Sequence, residues 1–135
     1  EYELTPNQSQ IDLARVVADA GGDIIFGHHP HVLQQFDKLT GKNGNDTHVF
    51  YSLGNFYSGQ SFDYTDIGGI ARLTIEKNTN ADGNPIAIHE NSFYPTAVIK
   101  DDKDIFKVVP LLSVEKDKIV TNDWVLEHMN AIMFK

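Results

Sequence analysis

Five residues, Asp23-Ile24-Ile25-Phe26-Gly27, constrain this chain more than any others. Three consecutive apolar side chains without alternation read as a strand buried on both faces, the pattern of a parallel sheet covered by helices. Gly27 closes the strand, and His28-His29-Pro30-His31 follows at once. Upstream, Thr5-Pro6-Asn7-Gln8 reads as a helix start. Thr5 caps it, Pro6 takes the first helical position, where its missing N–H costs nothing, and Gln8 stands at capping-box spacing. Ile11, Leu13, Ala14, Val17 and Ala18 lie at largely helical spacing, and Gly21-Gly22 ends the helix. Helix, tight turn, buried strand and polar cluster make an α/β unit. Open α/β sheets hold their ligands at the carboxyl ends of the strands, so the chemistry is expected at the histidines.

The remaining pattern extends this unit. Val32 to Phe36 continues as a short extended or helical segment, and Asp37 to Asp46, with Gly41, Asn43, Gly44 and Asn45, reads as a polar loop. His48-Val49-Phe50-Tyr51-Ser52-Leu53 is a second strand, rich in β-formers, closed by Gly54-Asn55 and expected to neighbour the first. Gln60 to Gly69 reads as a loop. Beyond it Ala71, Leu73 and Ile75 alternate with Arg72, Thr74 and Glu76, the period of a half-buried antiparallel strand. Asn78 to Asn84 is a turn, Ile86 to Phe93 the return strand limited by Pro95, and Ile105 to Val109 a further strand. Asn122 caps a C-terminal helix that places Val125, Met129, Ile132 and Met133 on one face.

Composition excludes several classes. The chain's 135 residues suffice for one core, and zero cysteines remove disulfides, thiolate metal sites and a thiol nucleophile. Eleven Lys and Arg against nineteen Asp and Glu give a formal charge of −8, which repels phosphate backbones and argues against nucleic acid. No apolar run approaches the roughly 20 residues of a membrane span, so no direct membrane span is expected in this chain.

Three of the six histidines fall within four residues. Two imidazoles one residue apart on an extended turn can direct both rings into one pocket, and neutral imidazole binds zinc, manganese, iron or nickel. A His-x-His pair is too few ligands for a complete site. Asn55, at the end of the neighbouring strand, and Asp37 are candidates to complete it; Asp23 stands at the wrong end of its strand. His48, His89, His128 and Glu127 read as solvated strand or helix positions. The aromatic group Phe50, Tyr51, Phe56, Tyr57, Phe62 and Tyr64 reads as core and pocket wall.

Two blocks carry a resemblance. Gln10-Ile11-Asp12-Leu13-Ala14 with Ala20-Gly21-Gly22-Asp23-Ile24-Ile25-Phe26-Gly27-His28-His29-Pro30-His31-Val32-Leu33-Gln34, and then Val49-Phe50-Tyr51-Ser52-Leu53-Gly54-Asn55-Phe56, resemble the CapA family of bacterial capsule-synthesis proteins in order and spacing. The family is associated with poly-γ-glutamate capsule synthesis or export, and it resembles the calcineurin-like metallophosphatases, an α/β sandwich around a two-metal centre whose last ligand motif is Gly-His-x-His. The resemblance implies that His29 and His31 are metal ligands, with His28 an alternative ligand or a substrate contact and Asn55 a pocket residue that orients substrate. It implies divalent metal (Mn, Zn, Fe or Mg), membrane components of a capsule synthase as partners, an anionic polymer met through metal, and a cell-surface location.

The superfamily's earlier Asp, His, Asn and His ligand motifs are absent from these 135 residues. The expected fold class is therefore α/β, the C-terminal part of a metallophosphatase-like sandwich. A parallel or mixed sheet is followed by antiparallel strands and a C-terminal helix, over residues 1–135. Such a chain alone is expected to be inactive as a two-metal hydrolase, and to self-associate through apolar surface that lacks its covering layer. A non-catalytic scaffold or polymer-binding subunit is the competing class, and a polar turn of no chemical role is the third.

Overall fold

The helix expected from Thr5 and Pro6 begins two residues later. A computed structural model describes residues 1–77, 86–114 and 127, and in it α1 spans Gln8–Asp19. Its cap is Asn7, not Thr5: the Asn7 side chain accepts from the Gln10 backbone N–H at 3.0 Å, and Gln10 Oε1 accepts from the Asn7 backbone N–H at 2.9 Å. Asparagine outranks threonine at this position, so the reciprocal box forms in the later register. At the other end the Gly21 N–H bonds to Ala18 O and the Gly22 N–H to Val17 O, each at 3.0 Å. Gly21 takes φ +90°, the left-handed step that this stop requires.

Strand β1, Ile24–Phe26, pairs in parallel with β3, Asp46–Phe50, while β2, Phe36–Thr40, pairs with β3 antiparallel. The sheet order is β1-β3-β2, a mixed sheet with β3 central. Two expectations change here. The first strand is not buried on both faces: α1 packs on its Ile25 face, while Phe26 on the opposite face is 50% exposed. The expected polar loop from Asp37 contains a strand, since β2 can form a hairpin ladder with β3 and only residues 41–45 are left to turn.

The second sheet is antiparallel, in the order β4-β5-β6, formed by Ile67–Lys77, Ile86–Lys100 and Phe106–Pro110. Gly68 and Gly69 belong to β4 rather than to the preceding loop, because they pair with Thr96 and Pro95. Alternation along β4 holds through Ala71 and Leu73 and lapses at Ile75, which is 57% exposed, just past a register shift between Arg72 and Thr74. Pro95 does not end β5. β6 pairs with β5 from Thr96 onward, so among the described residues one side of the strand has no ladder at Pro95 to interrupt. The expected turn at 78–84 and the C-terminal helix lie outside the described residues; Glu127 is helical and exposed. Among the described residues no helix is long and apolar enough to cross a membrane.

β3 supplies both cores by alternation. Val49 and Tyr51 face α1 and pack with Ala14, Ile25 and Leu39. Phe50 faces the other way, into a cluster with Leu33, Ile67, Phe93, Ala97 and Leu111 that joins the two sheets. His48 shares the Phe50 side and is only 6% exposed, with its ring 5.9 Å from that of Phe36. That corrects the expectation of a solvated strand end, since the strand pattern could not show that the start of β5 comes to lie beside this position. His89, by contrast, is exposed on β5 and pairs with Glu76 at 3.2 Å, as expected of a solvent-facing strand residue.

Burial first, and then the Lys38 charge, push the His48 imidazole below its ordinary value. The unfolded chain therefore takes up this proton first as pH falls below about 6.5. The histidine's contribution is complete above that pH and declines as pH drops toward the folded-state value. Urea midpoints measured from pH 7.5 to 5.5 should fall in the wild type and fall less in His48→Gln; parallel curves would show that this ring does not set the slope.

Candidate functional site

Two turns meet at the carboxyl end of β1. The Gly27 N–H donates to Phe50 O at 2.7 Å, completing the β1–β3 ladder, and the chain then leaves the sheet through the histidines. Ser52, fully buried, ties the turns together: its hydroxyl donates to Pro30 O at 3.0 Å and accepts from the Gly54 N–H at 3.1 Å. The Gln34 N–H donates to Ser52 O at 3.1 Å, and Leu33 and Leu53 form an antiparallel bridge between these donors. Gly54, at φ +64°, then turns the second segment so that Asn55 faces the first.

The contact that results is between His31 and Asn55, whose Nδ1 and Oδ1 stand 3.0 Å apart. The Asn55 amide donates to Thr65 O at 2.9 Å and to Gln60 Oε1 at 3.0 Å. The other ring nitrogen, His31 Nε2, lies 3.2 Å from Glu1 Oε1, and the His31 backbone N–H donates to Glu1 O at 3.1 Å. Tyr2 stacks on the His31 ring at 5.6 Å between centroids and meets Phe62 edge-on at 5.2 Å. A carboxylate, an imidazole and an amide are thus held in line, with an aromatic ring over the imidazole.

His28 and His29 do not join that line. Both are exposed, and among the described residues neither makes a hydrogen bond or ion pair. His29 sits at φ +101°, a conformation costing on the order of 1–3 kcal/mol for a residue with a Cβ. His28 lines an open apolar groove of about 440 Å³ with Phe26, Leu53, Phe56 and Ile70. Asp37 stands in β2 opposite Val49, where its carboxylate accepts from the Lys38 N–H at 2.8 Å. Asp23 lies at the far end of β1, its carbonyl bonded to the His48 N–H at 2.9 Å. Neither aspartate reaches the histidine turn by a hydrogen bond.

Glu1, Tyr2, Gln60 and Thr65 were not singled out by sequence as contributors. Glu1 is thirty residues from its partner, and Gln60 and Thr65 are five and ten from Asn55, so no local spacing marks them. Two further asparagines have structural uses: Asn7 caps α1, and the Asn45 amide donates to Ala18 O at 3.1 Å and Gly22 O at 3.3 Å.

The donor set suits a divalent ion in chemistry but not in number. Imidazole nitrogen and carboxylate oxygen suit zinc or manganese, and His31 presents Nε2 beside such an oxygen. Among the described residues no three His, Cys, Asp or Glu side chains gather closely enough to hold a metal ion. The residues fit part of a ligand shell.

The fold class is α/β: one helix, a mixed sheet and an antiparallel sheet, with the histidine and glycine–asparagine turns meeting at one strand end. Residues 1–60 match the family described as Bacterial capsule synthesis protein PGA_cap. The chain is 42% identical over 103 residues to the PGA biosynthesis protein CapA of Bacillus subtilis (strain 168), covering 75% of this chain and 25% of that protein. It is 38% identical over 109 residues to the Capsule biosynthesis protein CapA of Bacillus anthracis, covering 79% of this chain and 25% of that protein. The chain belongs to the CapA family, and it spans about a quarter of the length of these relatives. No solved structure matches it.

The turn that presents Asn55 should be intolerant of a side chain. Gly54 and Gly44 both carry positive φ, but a Cβ on Gly54 would stand 2.6 Å from Ile67 O, whereas one on Gly44 would meet nothing within 4 Å. Gly54→Ala should therefore lower stability by about 1–3 kcal/mol and by more than Gly44→Ala, read as urea unfolding free energies. Equal losses would mean that the space around Gly54 does not fix the turn.

Proposed function

We propose that this chain serves bacterial capsule biosynthesis or export, with poly-γ-glutamate as the polymer, as part of a CapA-like protein whose histidine turn contributes ligands to a divalent metal centre. The relatives' names support the process. The single structural observation behind the metal reading is the line Asn55–His31–Glu1, which presents an oriented imidazole nitrogen next to a carboxylate. His29 and His31 would hold the ion, with further ligands supplied from outside the described residues, and the fold would be that of a metallophosphatase-like sandwich. A bound divalent ion supplies Lewis-acid polarisation of a phosphate or amide oxygen and a more acidic water. Around it, His28 would contact substrate from the apolar groove, and Asn55 would orient His31 and bound substrate.

The acidity of the chain bears on the substrate. A charge of −8 does not attract a polyanion, so an anionic polymer would be met through metal rather than through the general surface. Membrane components of the capsule synthase are the proposed protein partners, and the cell surface the proposed location.

A second reading, a non-catalytic scaffold or polymer-binding subunit, draws support from apolar side chains left uncovered. Leu13 and Val16 on α1 are 64% and 63% exposed, and Phe26 on β1 is half exposed. These uncovered side chains are where copies of the chain would self-associate.

Metal content after equilibrium dialysis against Zn²⁺ or Mn²⁺ separates the readings. The double variant His29→Ala/His31→Ala should lose at least about tenfold in affinity, and in the whole protein it should lower capsule polymer output. Unchanged metal content with unchanged polymer output would overturn the metal centre. Retained capture of synthase membrane components by the double variant, with normal polymer, would favour the scaffold.

A further inference from the structure

We propose that Asn55 is a positioning residue that fixes the tautomer of His31, making His31 Nε2 and Glu1 Oε1 paired donors for one divalent cation. The inference deepens the metal reading above and rests on it for the cation alone; the tautomer follows from hydrogen-bond logic within the chain.

The reasoning begins at Thr65, which is fully buried and whose backbone carbonyl can only accept. Thr65 is itself held by a local turn: its N–H donates to Phe62 O at 2.9 Å, and its hydroxyl accepts from the Phe62 N–H at 3.1 Å. With Thr65 O only 2.9 Å from the Asn55 amide, the group facing it must be the NH₂. The opposite atom of the amide, Oδ1, is then the one that faces His31 Nδ1 at 3.0 Å. An amide oxygen cannot donate, so Nδ1 must carry hydrogen. In a neutral ring this leaves the lone pair on Nε2, the reverse of the tautomer that an imidazole side chain favours in water.

That lone pair points at an acceptor. His31 Nε2 and Glu1 Oε1 are 3.2 Å apart: with a proton on Nε2 this is a hydrogen-bonded ion pair, and without it the two atoms are electron-pair donors facing one another. In the unprotonated ring a divalent cation takes the place of that proton. Two donors about 2.0–2.2 Å from one zinc ion at a tetrahedral angle stand about 3.4 Å apart, close to the observed spacing. Tyr2, stacked on the ring, and the Glu1 carbonyl, accepting from the His31 N–H at 3.1 Å, keep the carboxylate-bearing segment beside the imidazole. Asn55 touches no cation in this arrangement; it acts through His31, as outer-shell partners of metal-bound histidines do.

Nitrogen-15 long-range correlation spectra of the histidine-labelled chain, recorded above the imidazole titration range and without metal, test the tautomer directly. Wild-type His31 should show a protonated Nδ1 and a lone-pair Nε2. Asn55→Ala should move the ring toward the Nε2–H form, and Asn55→Asp, which keeps an acceptor toward Nδ1, should restore the wild-type pattern. An Nε2–H ring in the wild type, which needs no variant to fold, overturns the proposal, and so does a tautomer indifferent to Asn55→Ala.

Zn²⁺ titrated into the same samples should perturb His31 Nε2, with affinity about 10- to 100-fold weaker in Asn55→Ala. In Glu1→Gln affinity should be about tenfold weaker with the tautomer unchanged. Equal zinc affinity in Glu1→Gln overturns the paired-donor part. Zinc that leaves every histidine unperturbed, while the tautomer responds to Asn55 as stated, removes the metal reading and leaves the positioning role of Asn55 standing.

Discussion

The hydroxyl of Ser52 is the junction on which the site depends. It is fully buried and engages both turns, donating to Pro30 O and accepting from the Gly54 N–H. Each such bond contributes about 1 kcal/mol net, but leaving the buried Pro30 carbonyl without a partner costs about 1–3 kcal/mol, and the half-buried Gly54 amide would lose its partner as well. The asymmetry makes Ser52 a register pin rather than a modest stabiliser. With it in place, the histidine turn cannot slide along the glycine–asparagine turn, and the His31–Asn55 distance follows from backbone geometry rather than from side-chain chance.

β3 carries that junction because of its place in the sheet. It is the central strand, parallel to β1 and antiparallel to β2, and its alternation serves α1 on one face and the second sheet on the other. Beyond Phe50 the same segment runs on through Tyr51 and Ser52 into the bridge between Gly54 and Gly68, which joins the mixed sheet to β4. A side chain at Gly68 would run into Asn55 O, so the two backbones cross here with no room for a Cβ. The site therefore lies at the seam of two sheets, fixed from β1 by the histidines and from β4 by Thr65 just before that strand. Few neighbouring side chains can move without disturbing the core that joins the sheets.

What could be read from the sequence followed from short-range chemistry. Gly21 stopping α1, the run Ile24–Phe26, the strand of β3 and the proximity of Asn55 to the histidine turn all rest on residues whose physical demands are local, or on two adjacent strand ends. What could not be read depended on partners far along the chain. His48 looked solvated because nothing near it in sequence tells of β5. Lys38 and Leu39 looked like loop because their strand exists only through pairing with β3. Pro95 looked like a stop because proline is judged alone, whereas the limit of β6 pairing decides whether its missing N–H matters. Thr5 lost the cap to Asn7 by a two-residue shift that both capping patterns permitted. In the site, the same division holds: Asn55 was legible, while Glu1, Gln60 and Thr65 reach it only through the folded turns.

The two outer histidines and His31 differ in a way that bears on how such a turn could work. His31 is 35% exposed at its side chain and held at both ring nitrogens and on one ring face, so it meets a ligand with little rotamer freedom left to lose. His29 is free of such contacts and sits on strained backbone, and strain of this kind persists only where surrounding structure over-determines it. Here Pro30, buried and bonded through its carbonyl to Ser52, supplies that determination immediately after His29. The strained step lifts His29 away from the packed line, so that one imidazole of the His-x-His pair is preorganised and the other remains able to turn. In the metal centre proposed above, a rigid donor beside an adjustable one would let a turn of four residues accept an ion whose remaining ligands come from elsewhere, because the adjustable ring would adapt to them without disturbing Ser52.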